Sequence, residues 1–294
     1  MSRSAAASFL MLCAGVGCLT GCRTGRTPPP PPPPGPTEPL AVVVNRINEN
    51  NRQLPTLFAR HEIEADIVED GKSRFINAAG TLFVRKPREV WLRGKKLVDD
   101  VFEMGSAGDV YWFTVYANEN TRWWGHYQNV GKPCSKDLPI RPDLIGEVLS
   151  ITDVNTNLLE LPAPTVRYNR DLDVYMIEWH ARGPDRLVTE REVWYDRANL
   201  LPRKVVLYDP HGRPVLRANL SGHQAVEVEG VAKDRWPQIA TYYDLLFPET
   251  GSKMTMRLTS VELRSETGHP REGTIRFKDD PKVEKEIQLD EACE

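Results

Sequence analysis

The sequence predicts a mainly β protein built on a single curled antiparallel sheet of about eleven or twelve strands, with two or more covering helices. Three observations carry this. Apolar and polar residues alternate through many short runs; Gly, Pro, Asn and Asp separate those runs; and only residues 38–54 and 142–151 switch to helical spacing. Sequential strands usually pair with their neighbours, and a sheet this wide must curl.

At the N-terminus, Arg3 precedes an apolar stretch over residues 5–19, which Leu19-Thr20-Gly21-Cys22 closes. This is the layout of a removed export signal. Interrupted by Gly15, Gly17 and Gly21, it falls short of the roughly 20 residues a membrane span needs. The closing four residues resemble a bacterial lipobox, which implies cleavage before Cys22, acylation of Cys22 and anchoring to a lipid membrane. Arg23 stands where an Asp, by the same resemblance, would retain a lipoprotein at the inner membrane, so the outer membrane is expected. Residues 28–34 are unbroken proline, followed by Gly35 and Pro36. Roughly nine residues of polyproline II at about 3.1 Å each would hold a domain on the order of 28 Å from the lipid. The expected organisation is a signal over 1–21, the acylated cysteine and stalk over 22–39, a β domain over 40–265 and a charged, poorly ordered tail over 266–294.

Within the domain, Leu40, Val43, Val44, Ile47 and Leu54 form an apolar helical stripe, with Arg46, Asn48 and Glu49 on the other face and Pro39 at the start. Pro55 ends this helix. From 57 to 67 the odd positions, His61 among them, alternate with Arg60, Glu62, Glu64 and Asp66, which is a long half-buried strand. Asp70-Gly71 signals a hairpin turn into a second strand over 74–85. Strands over 89–93, 101–104, 110–116 and 122–127 follow, separated by turn chemistry at Ala107-Gly108-Asp109 and Asn118-Glu119-Asn120. Pro142 and Asp143 open the second helix, whose stripe is Leu144, Ile145, Val148 and Leu149. Strands resume over 174–180, 189–195, 203–208, 215–220, 239–247 and 253–263.

With the elements in this order, Gly80-Thr81-Leu82-Phe83-Val84-Arg85-Lys86-Pro87, the strand at 89–93 and Gly108-Asp109-Val110-Tyr111-Trp112-Phe113 resemble the LolA/LolB-like lipoprotein carriers and receptors. Leu201-Pro202-Arg203 and Tyr208-Asp209-Pro210-His211-Gly212 resemble the family's second half. The resemblance spans about 40–263 and implies an unclosed half-barrel of about eleven strands whose helices lid an apolar cavity for acyl chains. It also implies a lid latch at the basic residue before the proline. Here that is Lys86, preceded by Arg85, and alternation sends Arg85 to the opposite face.

Composition narrows function further. Thirty-eight Lys and Arg against 41 Asp and Glu give a net charge of -3 with both signs interspersed, so no basic stripe marks a nucleic-acid face. There is no Gly-x-Ser-x-Gly elbow, His-Glu-x-x-His pair or Walker loop, and the six histidines lack ligand spacing. No catalytic set, metal or cofactor is expected. His61 reads as a satisfied or rim histidine. Cys134 and Cys293 remain in the folded region; because Cys293 is the second-last residue, two unpaired thiols are favoured over a bridge. Met254, Met256 and Leu258 share a strand face, and with Tyr243 and Trp112 they are the expected lining of an acyl pocket, core packing being the plainer alternative. Adjacent Trp123 and Trp124 face opposite ways, so at most one marks a wet rim. The expected ligand is an acyl chain or the lipid part of another lipoprotein. A filled barrel serving as an envelope scaffold is the alternative.

Overall fold

The computed structural model describes residues 36–293 apart from 70, 117–119, 137, 139 and 184. The export signal, Cys22 and the proline run lie outside the described residues, as do Asp70, Asn118 and Glu119 of the expected turns. The chain opens with α1 (Leu40–Asn51). Six strands follow: β1 (Thr56–Glu69), β2 (Lys72–Arg85), β3 (Glu89–Lys96), β4 (Asp99–Ala107), β5 (Val110–Val115) and β6 (Thr121–His126). Then come α2 (Pro142–Leu149), β7 (Ala163–Asn169), β8 (Val174–Arg182), β9 (Leu187–Asp196), β10 (Pro202–Tyr208) and β11 (Pro214–Ser221). The last strands are β12 (Gln224–Ala225), β13 (Gln238–Ile239), β14 (Tyr242–Phe247), β15 (Ser252–Glu262) and β16 (Lys285–Gln288).

Among the described residues, fourteen strands form one sheet in the order β16-β6-β5-β4-β3-β2-β1-β15-β14-β11-β10-β9-β8-β7, and β12 and β13 form a separate ribbon. β16 runs parallel to β6. α2 packs on β3, β4 and β5, and its Glu147 pairs with Arg191 of β9, although six strands separate β3 from β9 in the sheet. Laid flat at about 4.8 Å per strand, that interval would be roughly 34 Å, far beyond the reach of two side chains. The sheet therefore curls around its helices, while its edges β16 and β7 do not meet. The mainly β, unclosed architecture agrees with the sequence reading; the strand count exceeds it.

The added strands have physical reasons for escaping notice. β7 contains Pro164 and lies at an edge, where a missing N–H is tolerated. β16 is a four-residue, charged edge strand. The run at 239–247 is divided: Ile239 belongs to the small ribbon, and Thr241 turns the chain by donating through Oγ1 to Gly222 O and accepting from Leu258 N.

The segment after Gly268 is no loose tail. Phe277 lies 5.6 Å from the Trp112 ring and 5.3 Å from the Trp124 ring. Arg122, 2% exposed, donates to Lys278 O and Glu286, and Lys282 donates to Asp100. Buried Asp290 accepts from His126 N, His126 Nδ1 and Asn129 Nδ2. Burial alone would raise its carboxyl, but these hydrogen bonds outweigh that and hold it at about 2. Cys134 and Cys293 are disulfide-bonded, with Cα atoms 5.2 Å apart, contrary to the unpaired thiols expected. Nearness to the terminus misled, because Lys282, Glu286 and Asp290, charges that read as solvated, find partners on the sheet.

Candidate functional site

The concave face, the one that carries α1 and α2, is assembled by strict alternation. Ala59, Ile63 and Ala65 of β1 join Ala78, Leu82 and Val84 of β2, Val90 and Leu92 of β3, and Met254, Met256 and Leu258 of β15 in a single apolar cluster. Val43, Val44 and Ile47 of α1 and Ile145, Val148 and Leu149 of α2 belong to the same cluster, each 0–2% exposed. The helices thus fill the hollow of the sheet.

Polar ties hold this cover. Asn48, expected on the solvent face of α1, is fully buried: its Nδ2 donates to Val154 O and its Oδ1 accepts from Val154 N, both at 2.8 Å. Asn51 Nδ2 donates to Thr152 O at 2.8 Å. These bonds clip the segment after α2 to α1, satisfying backbone groups that burial would otherwise strand. Lys86, at the turn from β2 to β3, donates through Nζ to Asn51 O at 2.6 Å and to Asp153 Oδ1 at 2.8 Å. One ammonium therefore grips the end of α1 and the segment following α2. Its neighbour Arg85 points away and pairs with Glu89. Across the hollow, Arg191 joins Glu147 and stacks 4.2 Å from the centre of the Trp179 ring.

Met254, Met256, Leu258 and Tyr243 are brought together on the concave face, 0–5% exposed. Trp112 is not with them. Register pairs it with Gly105 and Trp124, whereas Met104 pairs with Phe113 and faces the helices. Trp112 therefore lies on the convex face beneath Phe277, and the expectation that it lines the hollow is corrected. The run 110–113 is apolar on both faces, so periodicity could not choose between them.

His61 carries a feature the sequence reading passed over. Leu258, His61, Gly80, Gly94 and Phe102 are successive register partners across five strands and share the concave face. A Cβ on Gly80 would lie 1.8 Å from Arg93 O and 3.0 Å from His61 Nε2; one on Gly94 would lie 2.3 Å from the Phe102 ring. The two glycines thus form a trough in which both rings lie. His61 is 1% exposed, and its Nε2 donates across Gly80 to Arg93 O at 3.0 Å. Nδ1 is buried with no partner. Burial pushes the imidazole down to about 4, only partly offset by the Arg93 bond, so the ring is neutral at physiological pH. An unpaired buried acceptor costs about 1–3 kcal/mol.

Two surface grooves flank this core. One of about 550 Å³ is lined by Arg46, Arg52, Arg235 and Trp236, the other of about 400 Å³ by Arg167, Glu178, Glu192, Tyr208 and His211. Neither is an enclosed apolar chamber. Among the described residues no three His, Cys, Asp or Glu side chains gather as a metal site requires, and no helix is long and apolar enough to cross a membrane.

No protein-family model and no curated protein matches the chain. Solved structures do. A LolA superfamily protein from Nitrosomonas europaea matches at 12% identity and a TM-score of 0.45, over 76% of this chain and 93% of that one. A domain described as an outer membrane lipoprotein-sorting protein from Vibrio parahaemolyticus matches at 12% and 0.47, over 78% and 94%. A DUF1329 family protein from Desulfovibrio piger matches at 11% and 0.47, over 77% and 93%. The chain is similar to LolA superfamily and lipoprotein-sorting structures over most of its length, and at these values no residue's role passes from them to it.

Proposed function

We propose that this is a non-catalytic lipoprotein of the cell envelope, anchored through acylated Cys22 to the outer membrane by a proline-rich stalk, whose half-barrel takes an acyl chain or a lipoprotein's lipid moiety beneath its helical cover. The observation that carries the reading is the Lys86 latch: a single side chain ties both helical covers over an aliphatic and methionine-bearing face. The conformation described is then the closed one, filled by its own helices. The Cys134–Cys293 bridge supports an oxidising compartment outside the cytoplasm.

The energetics allow exchange. Exposing the six buried aliphatic side chains of α1 and α2 costs about 9–18 kcal/mol at about 1.5–3 each. A bound chain of about fifteen methylenes returns about 12 kcal/mol. The terms are comparable, so partial displacement of the helices offsets itself, and weakening the latch tilts the balance toward binding.

A second reading, a scaffold lipoprotein with a permanently filled barrel and a protein partner, is favoured by the close packing of the concave face. Native mass spectrometry after gentle purification and titration with a fluorescent fatty acid separate the two. Bound lipid in the wild type, with faster uptake in Lys86→Ala, supports the lidded chamber; a clean apo mass with no uptake in either protein supports the scaffold. For the anchor, Cys22→Ser is expected to abolish palmitate labelling and release the protein from membranes; retained labelling would overturn it.

A further inference from the structure

We propose that His61 Nδ1 is a polar anchor in the floor of the hollow, selecting acyl chains that carry a hydroxyl group over plain ones; this rests on the lidded-chamber reading. His61 lies 1% exposed between Leu258 and Phe102 in a floor whose other surroundings are glycine backbone and apolar side chains. Its Nε2–H is committed to Arg93 O, which leaves Nδ1 as a bare acceptor fixed in place. The depressed basicity of the buried ring keeps that nitrogen unprotonated.

The trough supplies the room. The Phe102 ring lies over Gly94 with its centre 6.5 Å from that of His61. Rotation of Phe102 off Gly94 leaves a furrow floored by two glycine backbones that ends against the His61 ring. A hydrocarbon chain laid there leaves the acceptor as it is now, unpaired. A hydroxyl at the right depth donates to it and relieves the only polar atom of that floor seen without a partner among the described residues. Buried polar groups are ordinarily satisfied, so an acceptor held open beneath a removable cover points to a ligand's donor.

The test uses the full-length protein with a bound fluorescent fatty acid displaced by stearate, 3-hydroxystearate or 12-hydroxystearate. At least one hydroxy acid is expected to compete on the order of tenfold better than stearate, as one added hydrogen bond provides. In His61→Leu that advantage over stearate falls to within about twofold. Equal competition by all three acids in the wild type, or an advantage that survives His61→Leu, overturns the proposal while leaving the chamber intact. Absence of any fatty-acid binding overturns both. A readout independent of the variant's folding is the nitrogen NMR spectrum of labelled histidine: the His61 Nδ1 resonance shifts on adding the hydroxy acid and not on adding stearate, and an unmoved resonance in both cases overturns the assignment.

Discussion

Lys86 and Arg85 are sequence neighbours on opposite faces, and their substitutions are expected to differ accordingly. Lys86→Ala takes the charged donor from Asn51 O, which keeps the bond from Leu54 N, and frees Asp153, a loss of about 1–3 kcal/mol. Arg85→Ala breaks a surface pair with Glu89, worth less than about 1 kcal/mol. Urea unfolding of the two variants checks the ranking, and equal losses would remove Lys86 from any latching role. His61 predicts a pH dependence. Its folded-state value of about 4 lies below the ordinary 6.5, so the unfolded chain binds the extra proton first. Its contribution is fully present above pH 6.5 and is lost as pH falls toward 4, about 3 kcal/mol in all. At Asp100, burial would raise the carboxyl, but hydrogen bonds from Arg93 and Lys282 hold it at about 2, so its stabilisation fades only below pH 3.8. Unfolding free energy measured from pH 7 to 3 should have a shallower upper slope in His61→Leu, the remainder coming from His223, which burial also lowers, and should keep its lower slope. Legibility followed the same line: the Lys-Pro step marked Lys86, and alternation put His61 on the buried face. Which of its nitrogens has a partner depends on backbone two strands along, which no local pattern records.

At the scale of elements, the clip between α1 and the segment after α2 rests on an amide that mimics a strand partner. Asn48→Ala would leave both Val154 N and Val154 O unpaired in the interior, a loss of about 2–4 kcal/mol. Hydrogen exchange should rise first at residues 150–154; exchange that rises evenly over the domain would mean the clip is not a local device. Helix periodicity located α1 and α2 closely, yet placed Asn48 outside, because polarity alone cannot distinguish a solvated amide from one that completes a buried backbone. Central strands were legible from alternation. The edges β7 and β16 were not, since edge strands carry the proline and charge that the same reasoning takes for loop. Ile239, assigned to the long strand before Phe247, sits instead in a ribbon whose branching depends on a distant partner, Gln224.

For the whole molecule, the curl and the docking of the segment after Gly268 are the features that sequence-local reasoning reaches least, because both depend on contacts between distant segments. The curl is closed over by helices, and the β6 edge is covered by β16, which the disulfide secures. Cys293→Ser is expected to lower stability by about 2–5 kcal/mol and to speed exchange along β16 and β6 ahead of β1 and β15. Calorimetry and peptide-resolved exchange check this; unchanged protection of β16 would show that the ion pairs of the segment after Gly268 suffice. The bridge has a mechanical consequence too. Pulled by its two ends, the chain transmits load from Cys134 directly to Cys293, bypassing 159 positions. Roughly 570 Å of contour is thereby withheld from extension at about 3.6 Å per residue. The β7–β15 half of the sheet can lose its neighbours under force but cannot be drawn out as thread, so tension on such a molecule falls on the strands β1 to β6.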